Sequence, residues 1–220
     1  KTKVNTGIIR RCDMKRLKKR IISVFSIFSI FSILFAILPM SALANECMLS
    51  PESMLSRNTS SLSTDNYIVI WGGSLATDYD GGDGSESNPY QIATGAQLAK
   101  LAYDNNNGKL RGYKYFVLTK DIYLNDITDS KWYESTNVIP WTSIGLENGP
   151  AFGCNFDGFG FTIYGIYINE SEKNCCGLFG YTNSAIIKNL KISDSYICGQ
   201  NNVGAIIGQG QTTTISNCQS

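Results

Sequence analysis

The sequence predicts an all-β protein, a parallel β-helix (solenoid) with one short capping α-helix near its N-terminal end. The first of three observations is an internal repeat: residues 178–180 (LFG) return as 206–208 (IIG), and 187–189 (IKN) return as 215–217 (ISN). Both offsets agree (206 − 178 = 28 and 215 − 187 = 28), which is typical of stacked repeats. The second is a series of short β-type runs separated by Gly and Asn, and the third is a recurring bend position.

The bend position follows the first run of each repeat. Ile187 is predicted to point inward and Lys188 outward, and Asn189 then bends the chain. Asn and Gly accept the left-handed backbone that such a bend needs. Asn217 stands one repeat later (217 − 189 = 28), so the two amides are expected to hydrogen-bond, and Gly165 is expected to fill the same position one coil earlier. This column favours a β-helix over a β-sandwich.

The first 44 residues carry the features of an export signal. A basic segment is followed by an apolar stretch over residues 21–38, and Ala42 and Ala44 form an A-x-A cleavage signature. We interpret residues 14–44 as a signal peptide cut after Ala44, and residues 1–13 as mis-annotated upstream sequence. An uncleaved anchor is the alternative, because the apolar stretch approaches the length that spans a bilayer. In both cases the protein is expected to be secreted or at the cell surface, with membrane contact only through an uncleaved signal segment.

Charge and composition narrow the function. Residues 1–20 hold nine of the 19 basic residues and one of the 18 acidic residues. The rest of the chain therefore has 10 basic and 17 acidic residues, a net charge of −7 (10 − 17). This acidic body predicts no nucleic-acid binding. The sequence contains no histidine, which excludes Ser-His-Asp and Cys-His catalysis and zinc sites that need imidazole. We assign no catalytic residue and predict that the protein is not an enzyme.

Six cysteines follow the predicted signal peptide. An even number in an exported protein is typical of disulfides, while small buried thiols are the alternative, and both interpretations stay open. A disulfide between sequence neighbours is disfavoured, because neighbouring side chains on a strand point to opposite faces. The cysteines are Cys47, Cys154, Cys175, Cys176, Cys198 and Cys218.

The N-terminal half of the exported part is predicted to hold a linker and a cap. Residues 45–66 are polar and predict a flexible linker. Residues 67–114 are predicted to form the cap, with a first strand at 67–71 and a helix that opens with a capping box of Thr94 and Gln97. The apolar face of this helix, which must be buried, consists of Leu98, Leu101 and Ala102.

Residues 115–220 are predicted to form the coils of the β-helix, with two repeats at about 176–220 and a long insertion at 125–138. Because the sequence ends directly after a repeat, we interpret it as truncated at the C-terminus and expect residues 45–220 alone to be poorly soluble. Strand-like runs occupy residues 115–118, 121–124, 141–145, 152–158 and 161–168.

The repeats resemble the GLUG motif of bacterial secreted and cell-surface proteins. Residues 176–181 (CGLFGY) with 187–190 (IKNL) resemble one full motif, and 203–208 with 214–218 resemble the next. The resemblance implies a right-handed parallel β-helix in adhesin-like or large surface proteins, one group of which cleaves immunoglobulins, and it carries over no catalytic residue. The framework positions are Gly177, Leu178, Phe179, Gly180, Ile187, Asn189, Gly204, Ile206, Ile207, Gly208, Ile215 and Asn217.

Two acidic groups are candidate sites. Asp78, Asp80 and Asp83 alternate among glycines and could surround a calcium ion, although the spacing fails the EF-hand pattern and consecutive turns are the favoured explanation. No other cofactor is predicted. A carboxylate cluster for a lyase or glycosidase would need acidic residues near strand ends to converge; turns and solvated strand flanks are the alternative explanation. These residues are Asp121, Asp157 and Asp194.

Aromatic side chains are the third candidate, because flat rings stack on sugar rings, although ordinary packing explains them as well. They are Tyr164, Tyr167, Tyr181, Tyr196, Trp132, Tyr133 and Trp141. The sequence predicts an exported, non-catalytic surface module, and the resemblance implies an extracellular glycan or host glycoprotein as its partner. The alternatives are the targeting module of a larger secreted peptidase and a fragment of a β-helix polysaccharide lyase or hydrolase.

Overall fold

The computed structural model of the protein describes residues 8–11 and 68–220. The predicted signal peptide with Ala42 and Ala44, the predicted linker, and Cys47 lie outside these residues. In the part of the chain that is described, no helix has the length and apolar character needed to cross a bilayer.

Short strands and one helix make up the described fold, which is therefore mostly β, as predicted. Trp132–Glu134 adds one turn of 3₁₀ helix. The helix is α1 (Gly95–Asn106) and the strands are β1 (Ile8–Arg11), β2 (Tyr90–Ile92), β3 (Tyr115–Leu118), β4 (Ile122–Tyr123), β5 (Asn155–Asp157), β6 (Thr162–Tyr164), β7 (Tyr167–Asn169), β8 (Phe179–Asn183), β9 (Ile186–Lys188), β10 (Lys191–Ser193), β11 (Tyr196–Gly199), β12 (Ile207–Gln211) and β13 (Thr214–Ser216).

These strands form short sheets in which the paired strands are parallel. The longest sheet has the order β13-β9-β5-β3-β2, and the others are β10-β6-β4, β1-β11-β7 and β12-β8. Except for β2 and β3, which have only α1 between them, strands that neighbour each other in one sheet are separated in sequence by strands of the other sheets. From β3 onward the chain therefore runs through the sheets and returns to each one beside the strand that it formed there in the preceding circuit, which we call a pass.

The register between passes reproduces the repeat at the C-terminal end. Ile215 lies beside Ile187, which is one repeat earlier (215 − 187 = 28), and β12 is offset from β8 by the same interval (207 − 179 = 28). Earlier passes are longer, since Ile187 lies beside Phe156 (187 − 156 = 31). Phe156 in turn lies beside Phe116 (156 − 116 = 40), because the insertion at 125–138 falls between them.

Apolar side chains at the same register position form buried columns. Phe116, Phe156 and Ile187 are neighbours in one column and are at most 1% exposed. Full burial of each such side chain contributes about 1.5–3 kcal/mol. The alternation of a strand separates this face from the outer one. A second column consists of Ile122, Ile163 and Ile192, and a third of Ile168 and Ile197.

Left-handed residues turn the chain between strands at repeating positions. Asn189 has φ 53° and Asn217 has φ 51°, and Ser184 (φ 58°) and Thr212 (φ 50°) are separated by the same repeat interval (212 − 184 = 28). The predicted hydrogen bond from Asn217 Nδ2 to Asn189 Oδ1 is present at 3.3 Å. Asn189 Nδ2 donates onward to Asp157 Oδ1 at 2.9 Å, so the amide column links three successive passes.

The prediction that Gly165 belongs to this column is wrong. The residue before Gly165 pairs with Ser193, which places Gly165 (φ 72°) level with Asp194 (φ 50°). Asn189 instead lies level with the residue after Asp157. Each pass has more than one left-handed bend, and the local pattern of an apolar run followed by Gly or Asn does not distinguish them.

Two predicted strands are reduced to single bridges. In the described part of the first run, Ile70 forms an isolated parallel bridge with Tyr123, and Val69 is 75% exposed. In the run at 141–145, Ile144 bridges Phe179. Their β-branched and aromatic residues favour strand, but pairing over more than one residue needs a neighbour in register.

Helix α1 has the predicted start and buried face. The Thr94 side chain accepts from the backbone of Gln97 and the Gln97 side chain accepts from the backbone of Thr94, which completes the capping box. The helix ends at Asn106, within the polar run at 104–108 (DNNNG). Leu98, Leu101 and Ala102 are buried in the same core cluster as the strand columns.

The described cysteines include both a disulfide-bonded residue and buried free thiols, the two alternatives that the sequence left open. Cys198 is disulfide-bonded. The remaining described cysteines, including the neighbours Cys175 and Cys176, are free thiols. Burial raises the pKa of the Cys154, Cys175 and Cys176 thiols, so these side chains are neutral members of the core.

Ile187→Ala tests the buried column, and its neighbour Ile186 supplies the control. Ile187 is 0% exposed and Ile186 is 38% exposed on the same strand. We expect Ile187→Ala to lower the free energy of unfolding by about 2–5 kcal/mol, because it leaves a cavity. Ile186→Ala should change it by about 0.5 kcal/mol. Denaturant unfolding measures both, and equal losses would contradict the buried column.

Candidate functional site: an uncharged aromatic cleft

A cleft of about 410 Å³ opens between α1 and two loop segments. Helix α1 forms one wall, residues 139–142 form the opposite wall, and residues 71–75 close one end. The volume lies in the range of small-molecule sites, which are concave and mostly apolar with a few polar groups. Its principal lining residues are Trp71, Leu75, Ala102, Tyr103, Ile139 and Trp141.

Two tryptophans, Trp71 and Trp141, line the cleft, and the position of Trp71 depends on a glycine. Trp71 packs against the first residue of α1, Gly95, where an added Cβ would stand 2.5 Å from the Cβ of Trp71. Only glycine therefore allows this approach. Trp71 then meets Trp141 edge to face, with ring centroids 5.9 Å apart and an interplanar angle of 71°.

Two asparagines hold the wall at residues 139–142. Asn125 is buried and fixes one end: its Nδ2 donates to Ile139 O at 3.0 Å, and its Oδ1 accepts from Ile139 N at 2.7 Å. Asn106, at the end of α1, fixes the other end by donating to Ser143 O at 2.9 Å and accepting from Gly145 N at 2.8 Å. The wall is thus tied to the helix and to the start of the insertion, which preorganises the cleft.

Some polar groups of the cleft already form hydrogen bonds within the protein, and others do not. Trp71 Nε1 donates to Ser74 O at 2.7 Å and Trp141 Nε1 donates to Leu178 O at 3.2 Å. Within the described chain, the Tyr103 hydroxyl, the Asn107 side-chain carbonyl and the Thr142 hydroxyl have no hydrogen-bond partner. These three groups can therefore donate to or accept from a ligand.

The cleft carries no charge on its walls. None of its described lining residues is Asp, Glu, Lys or Arg, although residues 21–220 carry a net charge of −7 (10 − 17). Lys109 Nζ lies over the ring of Tyr103 at 4.5 Å from its centroid, outside the lining. A desolvated charged group would find no opposite charge among the lining residues, so the cleft suits a neutral ligand.

Most of the aromatic residues nominated by the sequence contact one another. Tyr164 stacks on Tyr123 with centroids 4.6 Å apart, and Tyr196 stacks on both Tyr133 (5.0 Å) and Tyr167 (5.4 Å). Trp132 meets Tyr167 edge to face. The insertion at 125–138 thus adds two rings to a tyrosine cluster on the β7–β11 sheet. Of the other nominated residues, Trp141 lines the cleft, and Tyr181 has no ring contact with any described residue.

The nominated carboxylates are bound separately, each by its own partners. Asp121 Oδ1 accepts from Thr162 N at 2.8 Å and Asp194 Oδ2 accepts from Ser193 Oγ at 2.8 Å. Burial acts to raise the pKa of Asp157, but hydrogen bonds from Asn189 and the Phe159 N–H, with Lys188, outweigh it and lower the pKa. Asp157 is therefore an ionised anchor for the bend, unlike a catalytic acid, which needs a raised pKa.

The loop proposed for calcium consists of bends without regular hydrogen-bonded turns. Asp83 Oδ1 accepts from Ser85 N at 2.8 Å, and hydrogen bonds from Ser85 lower the pKa of Asp83. Asp78 and Asp80 are exposed. Over residues 8–11 and 68–220, no three Asp, Glu or Cys side chains come together as a set that could hold a metal ion.

Sequence reasoning missed the residues that build the cleft. Trp71 was predicted as part of a strand, and Asn106 and Asn125 lie in polar runs that mark only a helix end and a loop. Their roles depend on hydrogen bonds across 37 (143 − 106) and 14 (139 − 125) residues. The glycine at the start of α1 and the absence of charge at 139–142 are visible in the sequence, but neither identifies a cleft without the fold.

Comparisons with known proteins give partial matches. The chain is similar to halomucin of Haloquadratum walsbyi, with 29% identity over 133 residues, which are 60% of this chain and 1% of halomucin. It is also similar to a protein named as a Gly-rich membrane protein of Evansella cellulosilytica, with 33% identity over 134 residues, 59% of this chain and 14% of that protein. No protein-family model matches the chain, and no solved structure matches it.

Gly95→Ala tests the close packing of Trp71 on α1, with Gly72→Ala as its control. A Cβ at position 95 would overlap Trp71, whereas a Cβ at position 72 meets nothing within 4 Å. We expect Gly95→Ala to displace Trp71, to cost about 1–3 kcal/mol of stability, and to shift tryptophan emission to longer wavelength. Emission spectra and denaturant unfolding report both effects. If Gly72→Ala had the same effects, the close approach would not be the cause.

Proposed function

We propose that this protein is an exported bacterial surface module, a right-handed parallel β-helix of the GLUG-motif type, which binds glycans or glycoproteins without catalysis. The parallel strand pairs support the β-helix, because the chain returns to each sheet beside its previous pass. The offset shared by the β8–β12 pair and the β9–β13 pair supports the repeat.

The names of the relatives support a location at the cell surface. One is a halomucin and the other is named as a membrane protein. The aligned segment is 1% and 14% of these proteins, so their activities and partners as whole proteins remain proposals for this chain. The basic and apolar N-terminal segment with Ala42 and Ala44 supports export independently.

The observation that carries the binding proposal is the uncharged aromatic cleft. A neutral sugar has apolar C–H faces and hydroxyl groups around its edge. The apolar faces fit the walls formed by Ile139, Leu75 and the tryptophans, and the hydroxyls can pair with Tyr103, Asn107 and Thr142. Acidic sugars fit less well, because the walls offer no cation and the exported part has a net charge of −7 (10 − 17).

Tyrosine substitutions test the cleft with a matched pair. Tyr103 lines the cleft and Tyr113 does not, although both are 44% exposed. Two of the three tryptophans line the cleft, so binding of a neutral oligosaccharide to the full chain should change tryptophan emission. We expect Tyr103→Ala to weaken binding about tenfold, from the loss of one contact worth about 1.4 kcal/mol. Tyr113→Ala should bind as the parent does.

Two results would count against the cleft as the glycan site. One is saturable binding that Tyr103→Ala and Tyr113→Ala reduce equally, which would place the site elsewhere. The other is the absence of binding to neutral oligosaccharides from plant and mucin sources, together with binding to uronic-acid or sialic-acid oligosaccharides of equal length. Release of reducing sugar by the parent chain would contradict the non-catalytic function.

A further inference from the structure

A second uncharged surface lies on the outer face of β8 and β12. Tyr181 lies beside Gln209 and Asn183 lies beside Gln211 in the parallel register of these two strands. We name these four residues the amide strip. Asn183, Gln209 and Gln211 are exposed and Tyr181 is half-buried, and none of the four carries a charge.

Hydrogen bonds within the protein fix each amide of the strip by its carbonyl oxygen. Gln211 Oε1 accepts from Tyr181 Oη at 2.9 Å. Gln209 Oε1 accepts from Asn202 Nδ2 at 3.0 Å and from Cys175 Sγ at 3.3 Å. The carbonyl orientations are therefore set before any ligand arrives, which lowers the entropy that binding must remove.

The amide nitrogens of the strip remain available to a ligand. Asn183 Oδ1 also accepts from within the protein, from Ser184 Oγ at 3.1 Å. The side-chain nitrogens of Asn183, Gln209 and Gln211 have no acceptor among the described residues. Three fixed amides thus present neutral donors of the same kind, which suit the hydroxyl and ring oxygens of a sugar chain.

Tyr181 adds an aromatic ring to these donors. The stacked pairs Tyr123–Tyr164 and Tyr167–Tyr196 already pair one ring with another, whereas the ring of Tyr181 meets no other described ring. Its hydroxyl is held by Gln211. An aromatic face next to oriented amides is a suitable contact for a pyranose ring.

The strip lies on β8 and β12, and β8 is the strand next to the segment that continues from the wall at 139–142. Ile144, two residues after the lining residue Thr142, bridges Phe179 at the start of β8. Strand β12 then pairs with β8 on its other side. Neighbouring strands are about 4.8 Å apart, so the strip lies on the two passes that stack beyond the segment that forms this wall.

We propose that the amide strip is an additional contact site for the neutral polysaccharide chain whose end occupies the cleft, an inference that rests on the glycan-binding function above. The strip makes the protein prefer an extended neutral chain to a short one. The ligand class is a polymer of uncharged hexoses or N-acetylhexosamines, because the strip offers only neutral groups, namely amide donors for oxygen and one aromatic ring.

The test compares chain-length dependence in the parent and in a double variant, Gln209→Glu with Gln211→Glu. Each glutamate keeps the carbonyl-type oxygen that accepts from Asn202 or Tyr181 and replaces only the free amide nitrogen. Gln200→Glu with Gln219→Glu adds the same charge at exposed positions outside the strip. Gln209→Met with Gln211→Met removes the donors without adding charge. Affinities of the full chain are measured for a neutral disaccharide and for the matching hexasaccharide.

The parent should bind the hexasaccharide about tenfold or more tightly than the disaccharide, since two added hydrogen bonds supply this factor. Both strip variants should keep the disaccharide affinity and lose most of this gain, while the Gln200/Gln219 control keeps it. A gain that persists in both strip variants overturns the strip alone. Failure of the parent to bind either sugar overturns the glycan-binding function and the strip with it.

Discussion

The in-register parallel pairing between successive passes of the chain is the constraint on which the rest of this structure depends. Because each strand must lie beside the equivalent strand of the previous pass, an apolar residue in one pass must meet an apolar residue in the next. Phe116, Phe156 and Ile187 meet this condition and are buried as one column. The bends must also recur, so Asn189 and Asn217 repeat both their left-handed backbone and their side-chain hydrogen bond.

The same pairing positions the candidate binding surfaces. Fixed strands allow irregular segments between them to be held by a few polar side chains, and buried Asn125 and Asn106 at the end of α1 do so for the wall of the cleft. On the outer face, the pairing of β8 with β12 places Tyr181 beside Gln209. The candidate binding groups therefore lie on loops and outward positions, while the inward positions maintain the register.

The sequence predicted the parts of the fold that are local or periodic. The capping box at Thr94 and the inward direction of Ile187 follow from short-range rules, and both are found. The predicted position of Gly165 in the asparagine column was wrong, because two bends of one pass have the same local sequence pattern. The cleft could not be predicted, since the hydrogen bond of Asn106 to Ser143 joins segments that only the fold brings together. Cys198 likewise shows no local sign of being the bonded cysteine.

The measurement that tests the register most directly is disulfide trapping between β9 and β13. Ile186→Cys with Thr214→Cys places the new cysteines on paired residues, at about 4.8 Å between Cα atoms, within disulfide range. Ile186→Cys with Ser216→Cys shifts one partner two positions along the strand, to about 8 Å, beyond that range. Mild oxidation and mass-spectrometric mapping should find the disulfide of the first pair and none in the second. Efficient bridging of the second pair in place of the first would contradict the register that the repeat sets.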